Sequence, residues 1–243
     1  FKDSIMSWFG KSEEHYVGVD IGSGSIKVVE LMNEKGKPKL VTYGYIDTYT
    51  DVMRTNRPEA QQKVVLALKK LMTSARVTTN KVTAALPTYS VFNSIITLPS
   101  MPQKDLARAV SWETKKYVPM PLEEMVLDWK IIGNNGFEKE VPAKTGAEKT
   151  ANVKILVTAA PKNLVSRYVE IFKSANIKLL SLETEAFALA RSLIGPSATK
   201  TVMIVDIGST TSDLSIVQDG VPILNRTINI GGQTLTKAIA DSM

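Results

Sequence analysis

A chain of 243 residues with 44% hydrophobic composition has enough apolar material for one large lobe or two connected subdomains, and reads as an ordinary soluble α/β protein. The absence of cysteine excludes disulfides, thiolate metal sites and a cysteine nucleophile, and the sole histidine, His15, cannot alone build a histidine-rich metal centre or a nucleophilic triad. The net charge of +6 arises from 30 basic residues interspersed with 24 acidic ones, and pairs such as Lys69-Lys70 and Lys115-Lys116 fit helix faces, so the excess reads as solvated surface and no nucleic-acid partner is expected.

The first segment, 1–15, places Phe1, Ile5, Trp8 and Phe9 on one helical face that could meet a membrane surface or a partner, although core packing or terminal disorder explains it more simply. His15 is expected to face solvent ahead of the first strand. No run of about 18 apolar residues could span a bilayer, and the opening lacks the apolar core of a secretory signal, so a cytoplasmic location is expected. The chain begins without Met and stops at Met243 inside a helical pattern, which reads as part of a longer protein.

Extended segments are predicted at Tyr16 to Ile21, Ser25 to Met32 and Lys39 to Asp47, separated by turns at Gly22-Ser23-Gly24 and from Asn33 to Pro38. From Pro58 to Ala75 the pattern turns helical, with Val64, Val65, Leu68, Leu71 and Met72 on one face and Pro58 suited to the first turn. A strand follows from Lys81 to Leu86. Prolines at 87, 99, 102, 119, 121 and 142 then punctuate a strand (Val91 to Leu98), a helix (Gln103 to Tyr117) and a strand (Met125 to Ile132), read as an inserted subdomain over 87–151. Its tail, from Gly133 to Thr150, is the candidate mobile loop.

After the insert come a buried strand (Val153 to Ala160), a helix (Pro161 to Ala175), a strand (Ile177 to Leu182) and a helix (Glu183 to Leu193). Strands from Thr201 to Asp206, Ser212 to Gln218 and Val221 to Ile230 precede a helix beginning after Gly231-Gly232. Residues 16–86 with 152–200 are thus read as a first lobe, and 201–243 as the incomplete start of a second.

The pentapeptide Val-Asp-Ile-Gly-Ser occurs twice, at Val19 to Ser23 and at Val205 to Ser209. Each copy ends an apolar strand at an aspartate and turns through small residues into another strand, which gathers a carboxylate and several backbone N–H groups at one point, as a Mg-bound polyphosphate requires. In the first hairpin, Gly22 and Gly24 allow close approach to phosphate oxygens, and Ser23 and Ser25 add hydroxyl donors. Lys27 either reaches the same phosphates or is an exposed cross-strand residue. In the second, Gly208 turns the chain, Ser209, Thr210, Thr211 and Ser212 supply hydroxyls, and Asp206 and Asp213 supply carboxylates. Asp20 and Asp206 suit Mg bound through water, because Mg keeps much of its hydration. The dinucleotide fingerprint does not fit: position 27 is Lys, and a β-branched stretch follows where a helix must open. No P-loop sequence is present.

With Glu183-Thr184-Glu185-Ala186-Phe187-Ala188 between them and Gly231-Gly232-Gln233-Thr234-Leu235 after them, these hairpins resemble the phosphate-binding and connecting elements of the actin/Hsp70/FtsA superfamily of ATPases. Asp20-Ile21-Gly22-Ser23 through Lys27-Val28-Val29-Glu30-Leu31, Leu98-Pro99 before a helix with Trp112-Glu113, and Tyr117-Val118-Pro119 leading to Leu122-Glu123-Glu124 are similar to the PilM family of type IV pilus assembly. The resemblance implies an actin-like ATPase (ribonuclease H-like) fold with an inserted FtsA-like strand-helix-strand subdomain. It implies ATP and Mg as cofactors, Gly231 and Gly232 as further nucleotide contacts, and Glu185 as a residue that positions the attacking water, against an ordinary helix-start acid favoured by the dipole. Nucleotide binding is implied more securely than turnover, which would be slow at most.

The partner implied by the resemblance is the N-terminal cytoplasmic peptide of a PilN-like inner-membrane protein within the pilus assembly platform. Val91, Phe92, Ile95, Ile96, Trp112 and Tyr117 are plausible groove material for an extended peptide, and core residues in part. Self-association is left open. The alternatives are a GspL-like cytoplasmic domain of type II secretion, an FtsA- or MreB-like filament or division protein, and a small-molecule kinase of the same superfamily, against which the proline-punctuated insert argues.

Overall fold

The computed structural model describes residues 14–48, 57–118, 120–133, 136–137, 152–194 and 201–243. The N-terminal aromatic segment and most of the loop expected after residue 133 lie outside the described residues. The chain divides into two compact units, Phe1–Ala85 with Val169–Leu182, and Leu86–Tyr168 with Glu183–Met243.

The first unit is built on a sheet of β1 (His15–Ile21), β2 (Ser25–Glu34), β3 (Lys37–Asp47), β4 (Lys81–Leu86) and β9 (Lys178–Thr184), in the order β3-β2-β1-β4-β9. β1 runs antiparallel to β2 and parallel to β4. Strict alternation puts Val17, Val19 and Ile21 of β1 and Ile26 and Val28 of β2 into the core, as expected for strands with one packed face. Helix α1 (Pro58–Ser74) buries Val64, Val65, Leu68 and Leu71. Gly44 of β3 lets it approach: a Cβ there would stand 3.1 Å from both Ala75 Cβ and Leu71 Cδ1.

Glu30 is fully buried on β2. It accepts hydrogen bonds from the Thr78 amide (2.8 Å) and the Thr78 hydroxyl, and pairs with His15 Nδ1 at 2.7 Å. Burial pushes this carboxyl up, but the Thr78 and His15 hydrogen bonds override it and hold it below the usual range. His15 is therefore not the free, solvent-facing residue expected from its sequence position; it starts β1 and helps satisfy a buried acid.

The second unit holds two sheets. β5 (Phe92–Pro99), β6 (Met125–Gly133), β7 (Gly136–Phe137) and β8 (Asn152–Pro161) assemble in the order β5-β8-β6-β7. β8, read from sequence as part of the first lobe, is the central strand here and pairs antiparallel with both β5 and β6. Helix α2 (Gln103–Thr114) packs Leu106 and Val110 onto Ile96, Leu98, Ile131, Ile155 and Val157.

The other sheet joins β10 (Val202–Ile207), β11 (Ser212–Gln218) and β12 (Val221–Ile228) in antiparallel order. Helix α4 (Glu185–Leu193) packs Ala190 against Ile204 and Val217 on one of its faces. The pairing register places Met203, Val205, Ile207, Leu224 and Ile228 together on the opposite face, where all five are exposed. Strands apolar on both sides are the pattern of a sheet covered on both faces. Helix α3 (Lys162–Ser174) follows β8, and α5 (Gly232–Ser242) follows β12. No described helix is long and apolar enough to cross a membrane.

Candidate functional site

The two copies of the pentapeptide fold into the same local structure. In the β1–β2 hairpin the Gly22 amide donates to Ser25 O at 3.0 Å, and in the β10–β11 hairpin the Gly208 amide donates to Thr211 O at 2.9 Å. Each bond closes a turn of equal length directly after Asp-Ile. Room for a side chain is small at both glycines: a Cβ would lie 3.2 Å from Ser25 O at Gly22 and 3.0 Å from Thr211 O at Gly208. The first hairpin belongs to the first unit and the second to the second.

In each hairpin the aspartate faces a cross-strand mate seven residues on, and the mates differ in charge. Asp20 stands opposite Lys27, whose ammonium donates to Asp20 Oδ2 at 2.8 Å. Asp206 stands opposite Asp213. Asp213 is 9% exposed; burial first, and then the neighbouring Asp206 charge, raise its carboxyl above the usual range, against a hydrogen bond from the Thr227 hydroxyl. A buried acid kept beside a second acid stores unfavourable electrostatics, which a divalent cation would relieve.

The expected donors divide by what already engages them. Ser212 donates its hydroxyl to Ile230 O at 2.7 Å and is nearly buried, so it braces β11 against the chain leading to α5. The Gly232 amide donates to Gly208 O (2.9 Å) and the Gln233 amide to Ser209 O (3.0 Å). The start of α5 is thereby tied to the second turn, and a Cβ on Gly231 would fall 2.7 Å from Ser209 C and O. Gly231 and Gly232 thus hold the turn in place. Ser23 is exposed and Gly24, Ser25, Ser209, Thr210 and Thr211 are partly exposed, so their groups lie at the surface of the two turns.

Glu185 opens α4. Its Oε2 accepts the Thr88 amide at 3.0 Å and the Thr88 hydroxyl at 3.4 Å, clamping the helix start to the 3-10 turn Thr88–Ser90. The hydroxyl of Thr184, just before it, is buried with no hydrogen-bond partner.

Beside this clamp lies a cavity of about 470 Å³ lined by Thr88, Tyr89, Val91, Phe92 and Asn93 on one side and by 223–227 of β12 on the other. Its two threonines are those that hold Glu185 and Asp213, so both acids sit directly behind its walls. Asn93 Nδ2 and Asn225 Oδ1, also on the lining residues, are buried without partners. The sequence marks Val91 and Phe92 as groove candidates but not Thr88, Asn93, Asn225, Arg226 or Thr227. Nothing local marks these residues, because the edges of two separate sheets bring them together. Of the other groove candidates, Ile96 is buried in the α2 core, Ile95 is half-buried, and Trp112 and Tyr117 are exposed.

Among the described residues no three His, Cys, Asp or Glu side chains cluster to hold a metal. A turn carrying one or two carboxylates fits a Mg ion whose remaining ligands are water and phosphate oxygens, and does not fit an ion bound by protein alone.

The chain matches the model of type IV pilus assembly protein PilM over residues 18–243. It is similar to a chain of a PilM-PilN type IV pilus biogenesis complex, at 25% identity and a TM-score of 0.76, over 94% of this chain and 65% of that one. It thus spans less than two thirds of that matched chain. Ethanolamine utilization protein EutJ from Carboxydothermus hydrogenoformans matches at 15% identity and TM-score 0.53, over 94% of this chain and 57% of that one. The cytoplasmic domain of EpsL, an inner-membrane component of the Vibrio cholerae type II secretion system, matches at 9% and 0.52, over 93% and 75%. These similarities show an actin-like ATPase fold.

Proposed function

This chain belongs to the PilM family of type IV pilus assembly proteins, and we propose that it is a cytoplasmic, Mg-ATP-binding scaffold that engages the N-terminal peptide of a PilN-like inner-membrane partner. The observation that carries the nucleotide part is the duplication of one turn, with the Gly22 and Gly208 amides closing the same bond after Asp-Ile. In this reading the turns 22–25 and 208–211 cradle phosphate through backbone N–H and hydroxyl groups, and Lys27 exchanges its bond to Asp20 for a phosphate oxygen. Asp20 and Asp206 hold Mg through water, and bound Mg-ATP supplies a negative charge that switches between two phosphate states. Gly231 and Gly232 keep the second turn in register, and Ser212 braces the strand behind it. Glu185 orients water for slow hydrolysis at most.

The partner part draws support from the similarity to a chain of a PilM-PilN complex and from the cavity between 88–93 and 223–227. Its apolar lining residues Tyr89, Val91, Phe92, Ile223 and Leu224 suit side chains of an extended peptide. Because Thr88 and Thr227 also hold Glu185 and Asp213, peptide and nucleotide would be coupled through two side-chain hydrogen bonds.

The test is calorimetric titration of the protein with the N-terminal cytoplasmic peptide of its pilus partner, with and without Mg-ATP. Saturable one-to-one binding whose affinity changes with nucleotide is expected. Absence of peptide binding in both states, with Mg-ATP binding intact, refutes the scaffold reading, and absence of Mg-ATP binding refutes the nucleotide site.

A further inference from the structure

Helix α2 turns Leu106, Val110 and Thr114 into the core and leaves its other side bare. At 3.6 residues per turn, positions 104, 108, 112 and 115 fall within about a quarter of the helix circumference. They are Lys104, Arg108, Trp112 and Lys115, all exposed, bordered by the small Ala107 and Ser111 and, at one margin, by half-buried Asp105.

Two facts separate this face from an ordinary solvated one. Lys104 lies in the first turn, where the helix dipole disfavours a cation, and neither it nor Arg108 makes an ion pair among the described residues. Trp112 is 66% exposed, although an indole is usually buried or held at an interface. Lys116 sits 4.4 Å from its ring centroid and is fixed there by Glu113 at 2.7 Å. The ring is thus held by a charge and presented outward.

We propose that this face of α2 docks on an anionic phospholipid bilayer. Ammonium and guanidinium groups meet lipid phosphates there, their methylene stems lie along the surface, and the indole enters the headgroup layer. A convex helix side offers no groove for a peptide, whereas a planar negative surface complements three aligned cations and a central aromatic ring. Each cation near such a surface is worth about fivefold in partitioning, so Lys104 and Arg108 together supply about twenty-five-fold, and Lys115, which lies 3.8 Å from Glu123, adds less. This contact is weak and salt-sensitive; it would orient a protein that its partner already holds near the membrane. It stands on α2 alone and does not require the nucleotide reading.

The experiment is cosedimentation of the whole chain with phosphatidylglycerol-containing and pure phosphatidylcholine vesicles at low and physiological salt, for wild type, K104E/R108E and Trp112→Ala. All three substituted side chains are exposed, so unchanged thermal melts verify folding. At least about a twenty-five-fold preference for the anionic vesicles is expected, abolished by the double charge reversal, reduced several-fold by Trp112→Ala, and weakened by salt. Quenching by brominated lipid should fall in Trp112→Phe. No preference for anionic vesicles overturns the proposal. So does binding that survives the double reversal, which would assign it to another segment. Loss of an acidic protein partner in K104E/R108E without any vesicle binding would make the face a protein site, and overturns it equally.

Discussion

Replacing Asp213 by Asn separates the electrostatics of the second hairpin from its shape. In the native chain this nearly buried carboxylate faces Asp206 across the strand pair. Its raised pKa means that the folded state binds the proton more tightly than the unfolded chain does. The corresponding stability is fully present below the ordinary carboxylate range and is lost as pH rises through the raised value. At neutral pH the native protein therefore carries the full penalty. Directly opposed like charges cost roughly 0.2–1 kcal/mol, and burial adds to this. Asn keeps an oxygen to accept from the Thr227 hydroxyl and turns an amide donor toward the Asp206 side. Asp213→Asn should therefore stabilise the protein by about 1 kcal/mol at pH 7, a Tm rise of roughly 2–4 °C for a chain of this size. The gain should vanish near pH 3, where Asp213 is protonated in both states. Urea and thermal unfolding across pH 3–8 would measure it. The same variant should bind Mg-ATP about tenfold more weakly, since one negative charge near the cation is gone. Lower stability at pH 7, or a difference that does not depend on pH, would refute this reasoning.

Three further outcomes are expected. Gly231→Ala places a methyl 2.7 Å from the Ser209 backbone and should cost about 1–3 kcal/mol while weakening nucleotide binding, read by unfolding and by ATP titration; unchanged values would mean that the turn and α5 can separate freely. Glu185→Gln keeps an acceptor for Thr88, so it should retain fold and ATP binding yet lose hydrolysis in a single-turnover assay; an unaltered rate would leave Glu185 as the Thr88 clamp alone. Glu30→Ala leaves the Thr78 amide and hydroxyl without their acceptor, at a cost of about 3 kcal/mol. Because the Glu30 pKa is lowered, the wild-type advantage should be full above the ordinary carboxylate range and shrink as pH falls through the lowered value; a flat advantage across acid pH would contradict this.

Much of the architecture was legible because local patterns carry it. The boundaries of β4 and β11 follow from alternation between turn residues, and α1 begins at the proline that suits its first turn. The two hairpins announced themselves by repetition, and the shared Gly amide bond is the physical content of that repeat. The pairing of β8 with β5 and β6 is not legible in sequence, because an apolar strand states that it is buried, not which strands it pairs with; Val157 and Ile155 suit any sheet interior. Sequence places His15 as a solvent-facing residue ahead of β1, because its partner, Glu30, lies fifteen residues away on the next strand. Ser212 looked like a phosphate donor, but its hydroxyl is spent on Ile230 O, a bond that no spacing rule reveals.

What sequence alone determined was the chemistry available: an Asp-Ile-Gly-Ser turn used twice, small hydroxyl residues behind it, and no cysteine or histidine set for other mechanisms. Short-range periodicity and turn stereochemistry suffice for that, since each depends on residues within a few positions of one another. Only the tertiary structure decided that Lys27 pairs with Asp20 whereas Asp213 opposes Asp206. It alone tied Glu185 to Thr88 across 97 residues of chain and set the edges of β5 and β12 around one cavity. Such contacts follow from strand register and from long-range packing, in which the whole core, and not any local segment, selects which side chains meet.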